Sequence, residues 1–128
     1  MKRISVSDMS GKILVVDDEI HLALLIEYTL KSKGFAVQSI HKATEALELI
    51  GSGTDIQLVI TDLHMPEISG FDLFMELGRR GKRIPVLLVT AAGEEEITDQ
   101  ALKMGVAGVL NKPFSRKQLL EQVEHLLE

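Results

Sequence analysis

A chain of 128 residues with no cysteine and a net charge of -5 fits one domain that needs no disulfide staples and carries no thiolate metal site. The acidic balance argues against a nucleic-acid surface, which would be basic, and no apolar run approaches the roughly 20 residues of a membrane span. Residues 1–10, MKRISVSDMS, lack an apolar stretch, so they read as a polar tail rather than a secretory signal, with residues 11–128 as the domain and the cytoplasm as its compartment.

Apolar residues run unbroken from Ile13 to Val16, the mark of a strand buried on both faces of a parallel sheet, and Asp17-Asp18 follow. Leu22, Leu25, Ile26, Thr29 and Leu30 then recur at helical spacing, with Gly34 as a stop. Phe35 to Ile40 mixes in Gln38 and Ser39, which suits an edge strand. Ala43, Ala46, Leu47 and Ile50 give a second helix, stopped by Gly51. Leu58 to Thr61 is again a buried strand, and it ends on Asp62. Phe71, Phe74, Met75 and Gly78 predict the core stripe of a third helix. Val86 to Thr90 is a fourth strand. Ile97, Ala101 and Met104 predict the stripe of a fourth helix, stopped by Gly105. Val106 to Asn111 is a short fifth strand containing Gly108. Ser115 and Gln118 are spaced as a capping box, opening a last helix with Leu119, Leu120, Val123, Leu126 and Leu127. Five βα units in succession imply a five-stranded parallel sheet with helices on both faces. The last helix runs to the end of the sequence, which fits either a stand-alone protein or part of a longer chain.

The stretch LVITDLHMPEISG delivers a carboxylate, Asp62, to the tip of an apolar strand. By itself such an Asp is a turn or cap residue, and Asp17-Asp18 before a helix can serve the same end. Thr90 alone reads equally as a helix cap, and Lys112 as a solvated charge. His21, His41, His64 and His125 read as surface or turn residues. In a parallel sheet, however, the ends after Val16, Thr61, Val89 and Leu110 share one edge, with neighbouring strands about 4.8 Å apart. Asp17, Asp18, Asp62, Thr90 and Lys112 can therefore converge. Crowded carboxylates repel one another, and a hard divalent cation such as Mg²⁺ relieves that cost through oxygen ligands. Zinc would call for His or Cys ligands. An ammonium and a hydroxyl beside such a site suit a phosphoryl group, with Asp62 as the nucleophile.

ILVVDDE, LVITDLHMPEISG, VLLVTAAG and VLNKPF, in this order and spacing, resemble the receiver domain of bacterial two-component response regulators, of the chemotaxis-regulator type. The resemblance spans residues 12–127. It implies a doubly wound, flavodoxin-like (βα)5 fold with strand order 2-1-3-4-5. It implies that Asp62 accepts a phosphoryl group from a sensor histidine kinase or phosphotransfer protein, with Mg²⁺. Asp18 would ligate the ion directly, Asp17 through water, and Asp62 and the His64 backbone carbonyl would complete the protein ligands. Lys112 would pair with Asp62 and then with phosphate. Thr90 would be the switch hydroxyl, and the Ala91 N–H a phosphoryl contact. Pro66 and Gly70 would shape the turn after the site, and Lys112-Pro113 would be a cis step. The altered surface near the fourth helix, fifth strand and fifth helix would control an output domain or protein partner, with no direct contact to nucleic acid or membrane. The role is signalling, catalysis being limited to the domain's own phosphorylation and dephosphorylation.

Three positions depart from the family pattern. Val109 stands where the family has Tyr or Phe, and His64 and Ala92 flank the expected phosphoryl position, where they should tune the access of water. No Asp-Asp-Tyr precedes Lys112, unlike many winged-helix regulators. One rival reading is a Mg²⁺-dependent phosphatase of the haloacid-dehalogenase type, but that chemistry needs an acid two residues after the nucleophile, where this chain has His64. Another is a pseudo-receiver, a binding module without the chemistry, which Val109 favours and the five polar residues oppose.

Overall fold

The computed structural model describes residues 11–128, so the reading of residues 1–10 as a polar tail lies outside the described residues. The strands are β1 (Lys12–Val16), β2 (Val37–Ile40), β3 (Ile56–Asp62), β4 (Val86–Thr90) and β5 (Gly108–Asn111). The helices are α1 (Ile20–Lys31), α2 (Ala43–Gly51), α3 (Gly70–Arg79), α4 (Glu95–Met104) and α5 (Arg116–Leu126). All strand pairs are parallel, in the order β2-β1-β3-β4-β5. This is the doubly wound order expected from the resemblance.

The unbroken apolar runs of β1, β3 and β4 follow from burial on both faces. Side chains alternate across a strand. Ile13, Val15, Leu58, Ile60, Leu87 and Val89 face α1 and α5, where they pack with Ile26, Leu30, Leu119 and Val123. Leu14, Val16, Val59, Val86 and Leu88 face the other way, against Ala46 and Ile50 of α2, Leu73 and Leu77 of α3, and Ala101 of α4. Gln38 and Ser39 do lie on an edge strand, β2.

Three helices bury a different set of residues from the one expected, although Ile26, Thr29 and Leu30 of α1 and Ala101 of α4 are buried as expected. In α1 the buried stripe is Ala23, Ile26, Thr29 and Leu30, while Leu25 is exposed. In α3 it is Gly70, Leu73 and Leu77; Phe71 and Phe74 pack half-buried against the same core layer, and Met75 and Gly78 are exposed. In α4 only Ala101 is buried, and Ile97 and Met104 stay exposed. These segments hold more apolar residues than the sheet can cover, so spacing alone admits two or more stripes. Gly51 is the last residue of α2 rather than its stop; the left-handed residue that follows is Gly53, at φ +92°. Gly105 does end α4 in a left-handed cap, at φ +115°.

Candidate functional site

Four of the five strands end on, or are followed by, one or two polar groups. Asp17 and Asp18 follow β1, Asp62 is the last residue of β3, Thr90 the last of β4, and Lys112 follows β5. The sheet order makes these four strands consecutive, so the groups meet. One carboxylate oxygen from each of Asp17, Asp18 and Asp62 lies within 4.8 Å of the others. The Lys112 ammonium stands 3.2 Å from Asp62 Oδ1. Asp17 and Thr90 are about 1% exposed, Asp62 9%, and Asp18 lies open at the surface.

Backbone bonds lock the frame. Asp17 N–H donates to the Ile40 carbonyl at 3.0 Å, Leu63 N–H to the Val89 carbonyl at 2.9 Å, and Lys112 N–H to the Thr90 carbonyl at 2.7 Å. The Lys112-Pro113 peptide is cis. After Asp62 the chain turns through Pro66 and re-enters at Gly70, whose N–H donates to the Leu63 carbonyl at 2.8 Å. A Cβ on Gly70 would lie 2.3 Å from the Asp62 carbonyl oxygen, so only glycine lets α3 start this close to the site. Ser69 and Asp72 form a capping box that starts α3 at that point.

The electrostatics follow from the crowding. Burial, with Asp62 and Asp18 adding repulsion, pushes the Asp17 carboxyl up to about 6, against the Glu19 N–H and Lys112, which hold it down. Burial also raises Asp62, and Lys112 beside it opposes the rise. Asp17 Oδ1 accepts the Glu19 N–H at 2.9 Å, but Asp17 Oδ2 is buried with no hydrogen-bond partner among the described residues. An orphaned carboxylate oxygen among three clustered acids is the donor set a hard, oxygen-seeking divalent cation takes. The residues present therefore fit Mg²⁺.

Two contacts were not foreseen from the sequence. The Thr90 hydroxyl donates to Asn111 Oδ1 at 2.6 Å, across the β4–β5 pair. His64 Nε2 meets Glu94 Oε2 at 2.7 Å, joining the loop after β3 to the N-terminal cap of α4. His64 is thus more than a free turn residue. Ala91 directly follows Thr90 and is exposed beside the site, as is Ala92. Asn111 stands among the polar residues at the strand ends in the sequence, but its partner depends on strand register. Beyond Asp18 and Glu19, α1 exposes Ile20, Leu24, Leu25 and Tyr28.

A family model described as the response regulator receiver domain matches residues 13–124. The response regulator SaeR of Staphylococcus aureus is 31% identical over 115 residues, covering 90% of this chain and 50% of its own length. The chain thus spans about half the length of the curated relatives it matches. Among solved structures, a response regulator receiver domain protein from Clostridium thermocellum superposes with a TM-score of 0.84 at 30% identity, covering 91% of this chain and 94% of that one. The chemotaxis response regulator CheY4 of Vibrio cholerae gives 0.82 at 26% identity, covering 92% and 99%. The receiver domain of NtrX from Brucella abortus gives 0.84 at 27%, covering 91% and 98%.

Proposed function

On the premise that this chain belongs to the response regulator receiver domain family of two-component signalling, we propose that Asp62 is its phosphoacceptor and that residues 11–128 form one phosphorylation-controlled switch. The observation that carries this reading is the Lys112 ammonium at 3.2 Å from Asp62, beside two further carboxylates whose oxygens lie within 4.8 Å. An Asp62 oxygen attacks the phosphorus of a phospho-histidine on a sensor kinase or phosphotransfer protein. The P–O bond forms as the N–P bond breaks, and the electron pair leaves with the donor's imidazole. Lys112 moves from its pairing with Asp62 to the phosphoryl oxygens, and the Ala91 N–H and Thr90 hydroxyl donate to them. Mg²⁺, when bound, neutralises charge on the phosphoryl oxygens; Asp18 and Asp62 would hold it directly, with the His64 carbonyl, and Asp17 through water.

The donor must bring its imidazole to Asp62, so its docking surface must adjoin the site. The exposed Ile20, Leu24, Leu25 and Tyr28 on α1 begin two residues after Asp18 and suit that contact. Phosphate on Asp62 adds nearly two negative charges and draws Thr90 inward, which biases the surface near α4, β5 and α5 toward a second arrangement. An output domain or separate protein reads that surface. The domain acts in the cytoplasm, without direct contact to nucleic acid or membrane; no described helix is long and apolar enough to cross one. It catalyses only its own phosphorylation and dephosphorylation.

Acetyl phosphate with Mg²⁺ tests the acceptor. The protein should gain one phosphoryl adduct by intact mass, and Asp62→Asn should gain none, since an amide is no nucleophile. An adduct of similar yield on Asp62→Asn would place the acceptor elsewhere.

A further inference from the structure

Thr90 is 1% exposed, so its hydroxyl needs a partner inside the protein. It has one in Asn111 Oδ1, at 2.6 Å. Thr90 and Asn111 stand directly opposite in the β4–β5 register, and the next residue's N–H, that of Lys112, closes the pair by donating to the Thr90 carbonyl at 2.7 Å. The dipeptide Asn111-Lys112 therefore holds both sides of the site: Asn111 the hydroxyl, Lys112 the Asp62 carboxylate at 3.2 Å.

We propose that Asn111 is a positioning residue that anchors the Thr90 hydroxyl away from the incoming group and so sets how readily the site takes up a phosphoryl group. The proposal rests on the reading of Asp62 as phosphoacceptor and goes beyond it by assigning a residue and a direction. A hydroxyl has one proton to donate. It cannot donate to Asn111 and to a phosphoryl oxygen together, so the Asn111 bond must break when Thr90 turns inward. Asn111 itself is exposed, and water takes its oxygen once Thr90 leaves. Val109, on the same face of β5 two residues earlier, has no polar atom in its side chain to take over the anchor. It packs instead against the layer of α2, α3 and α4.

The anchor lowers the population of the receptive arrangement, and apparent affinity for a phosphoryl analogue falls with it. Removing a single neutral hydrogen bond should raise that affinity about fivefold, the ratio that about 1 kcal/mol gives. The test uses the full chain with Mg²⁺ and beryllofluoride as the probe, titrated by amide chemical shifts. Four proteins are compared: the unaltered chain, Asn111→Leu, Thr90→Val and the double variant. Asn111→Leu should bind about fivefold tighter, and the same change in the Thr90→Val background should alter affinity less than twofold. An equal gain in both backgrounds, or no gain in the first, overturns the anchor. A second measurement needs no phosphoryl analogue. Three-bond couplings at Thr90 should report one χ1 rotamer in the unaltered chain and an averaged one in Asn111→Leu; an unchanged rotamer overturns the proposal. If none of the four proteins binds beryllofluoride, the reading of Asp62 fails and the anchor's control of phosphoryl uptake falls with it, whereas binding without a gain in Asn111→Leu overturns the anchor alone.

Discussion

Asp17→Asn isolates the cost of crowding three carboxylates. The substitution keeps Oδ1 as an acceptor for the Glu19 N–H, 2.9 Å away, and removes a charge whose other oxygen is buried without a partner among the described residues. The Asp17 carboxyl is raised from near 3.8 to about 6. A shift of about two pH units corresponds to roughly 3 kcal/mol lost when the group ionises in the folded chain. The sign follows from proton binding: the folded protein holds this proton more tightly than the unfolded chain does. The stabilisation is complete below about 3.8 and is lost as pH rises through about 6. At pH 7.5 without metal, Asp17→Asn should therefore be the more stable protein. Burying the new amide N–H groups gives back about 1 kcal/mol. The net gain is about 2 kcal/mol, or about 7 °C in Tm for a chain of this size. The gap should narrow as pH falls toward 5, where unaltered Asp17 starts to take up its proton. Added Mg²⁺ should raise the Tm of the unaltered protein more than that of the variant, because the ion relieves the repulsion the variant no longer has. Scanning calorimetry at pH 5 to 8, with and without Mg²⁺, measures all of this. A variant less stable than the parent at pH 7.5 without metal would refute the reasoning, as would equal stabilisation of both by Mg²⁺.

Asp18→Ala should abolish Mg²⁺ affinity and Asp17→Ala should weaken it less, as read by isothermal titration; unchanged affinity in Asp18→Ala would remove Asp18 from the site. Gly70→Ala would force a Cβ to within 2.3 Å of the Asp62 carbonyl oxygen, and backbone must shift to accept it. A loss of about 2–3 kcal/mol in urea unfolding and weaker acetyl-phosphate labelling are expected, and parental stability would show that the turn yields freely. With beryllofluoride, amide shifts should move most over residues 90–98 and less over 106–110, since stiff Val109 cannot sweep between exposed and buried states. Val109→Tyr should then change partner affinity while leaving Asp62 labelling largely intact, and dominant shifts at 106–110 would contradict this.

The strands and the site edge were legible in the amino-acid sequence because each rests on a one-dimensional rule. A segment covered on both faces must be apolar at every position, and β4 runs from Val86 to Thr90 as its apolar run predicts. Parallel strands share their carboxyl ends, so Asp17, Asp18, Asp62, Thr90 and Lys112 could be gathered without coordinates. Which helix face turns inward was a matter for the tertiary structure. In α3 the residues Phe71, Leu73, Phe74, Met75 and Leu77 crowd the helix with apolar groups, and the sheet selected Leu73 and Leu77. Spacing cannot make that choice, because burial depends on the angle at which the helix meets the sheet. The Thr90–Asn111 bond depends on register between β4 and β5, and the His64–Glu94 contact on the paths of two loops. The orphaned oxygen of Asp17 is decided the same way. Local pattern sets which residues a strand delivers to the edge, whereas a hydrogen bond needs its partners placed within a few tenths of an ångström, and only the packed fold does that.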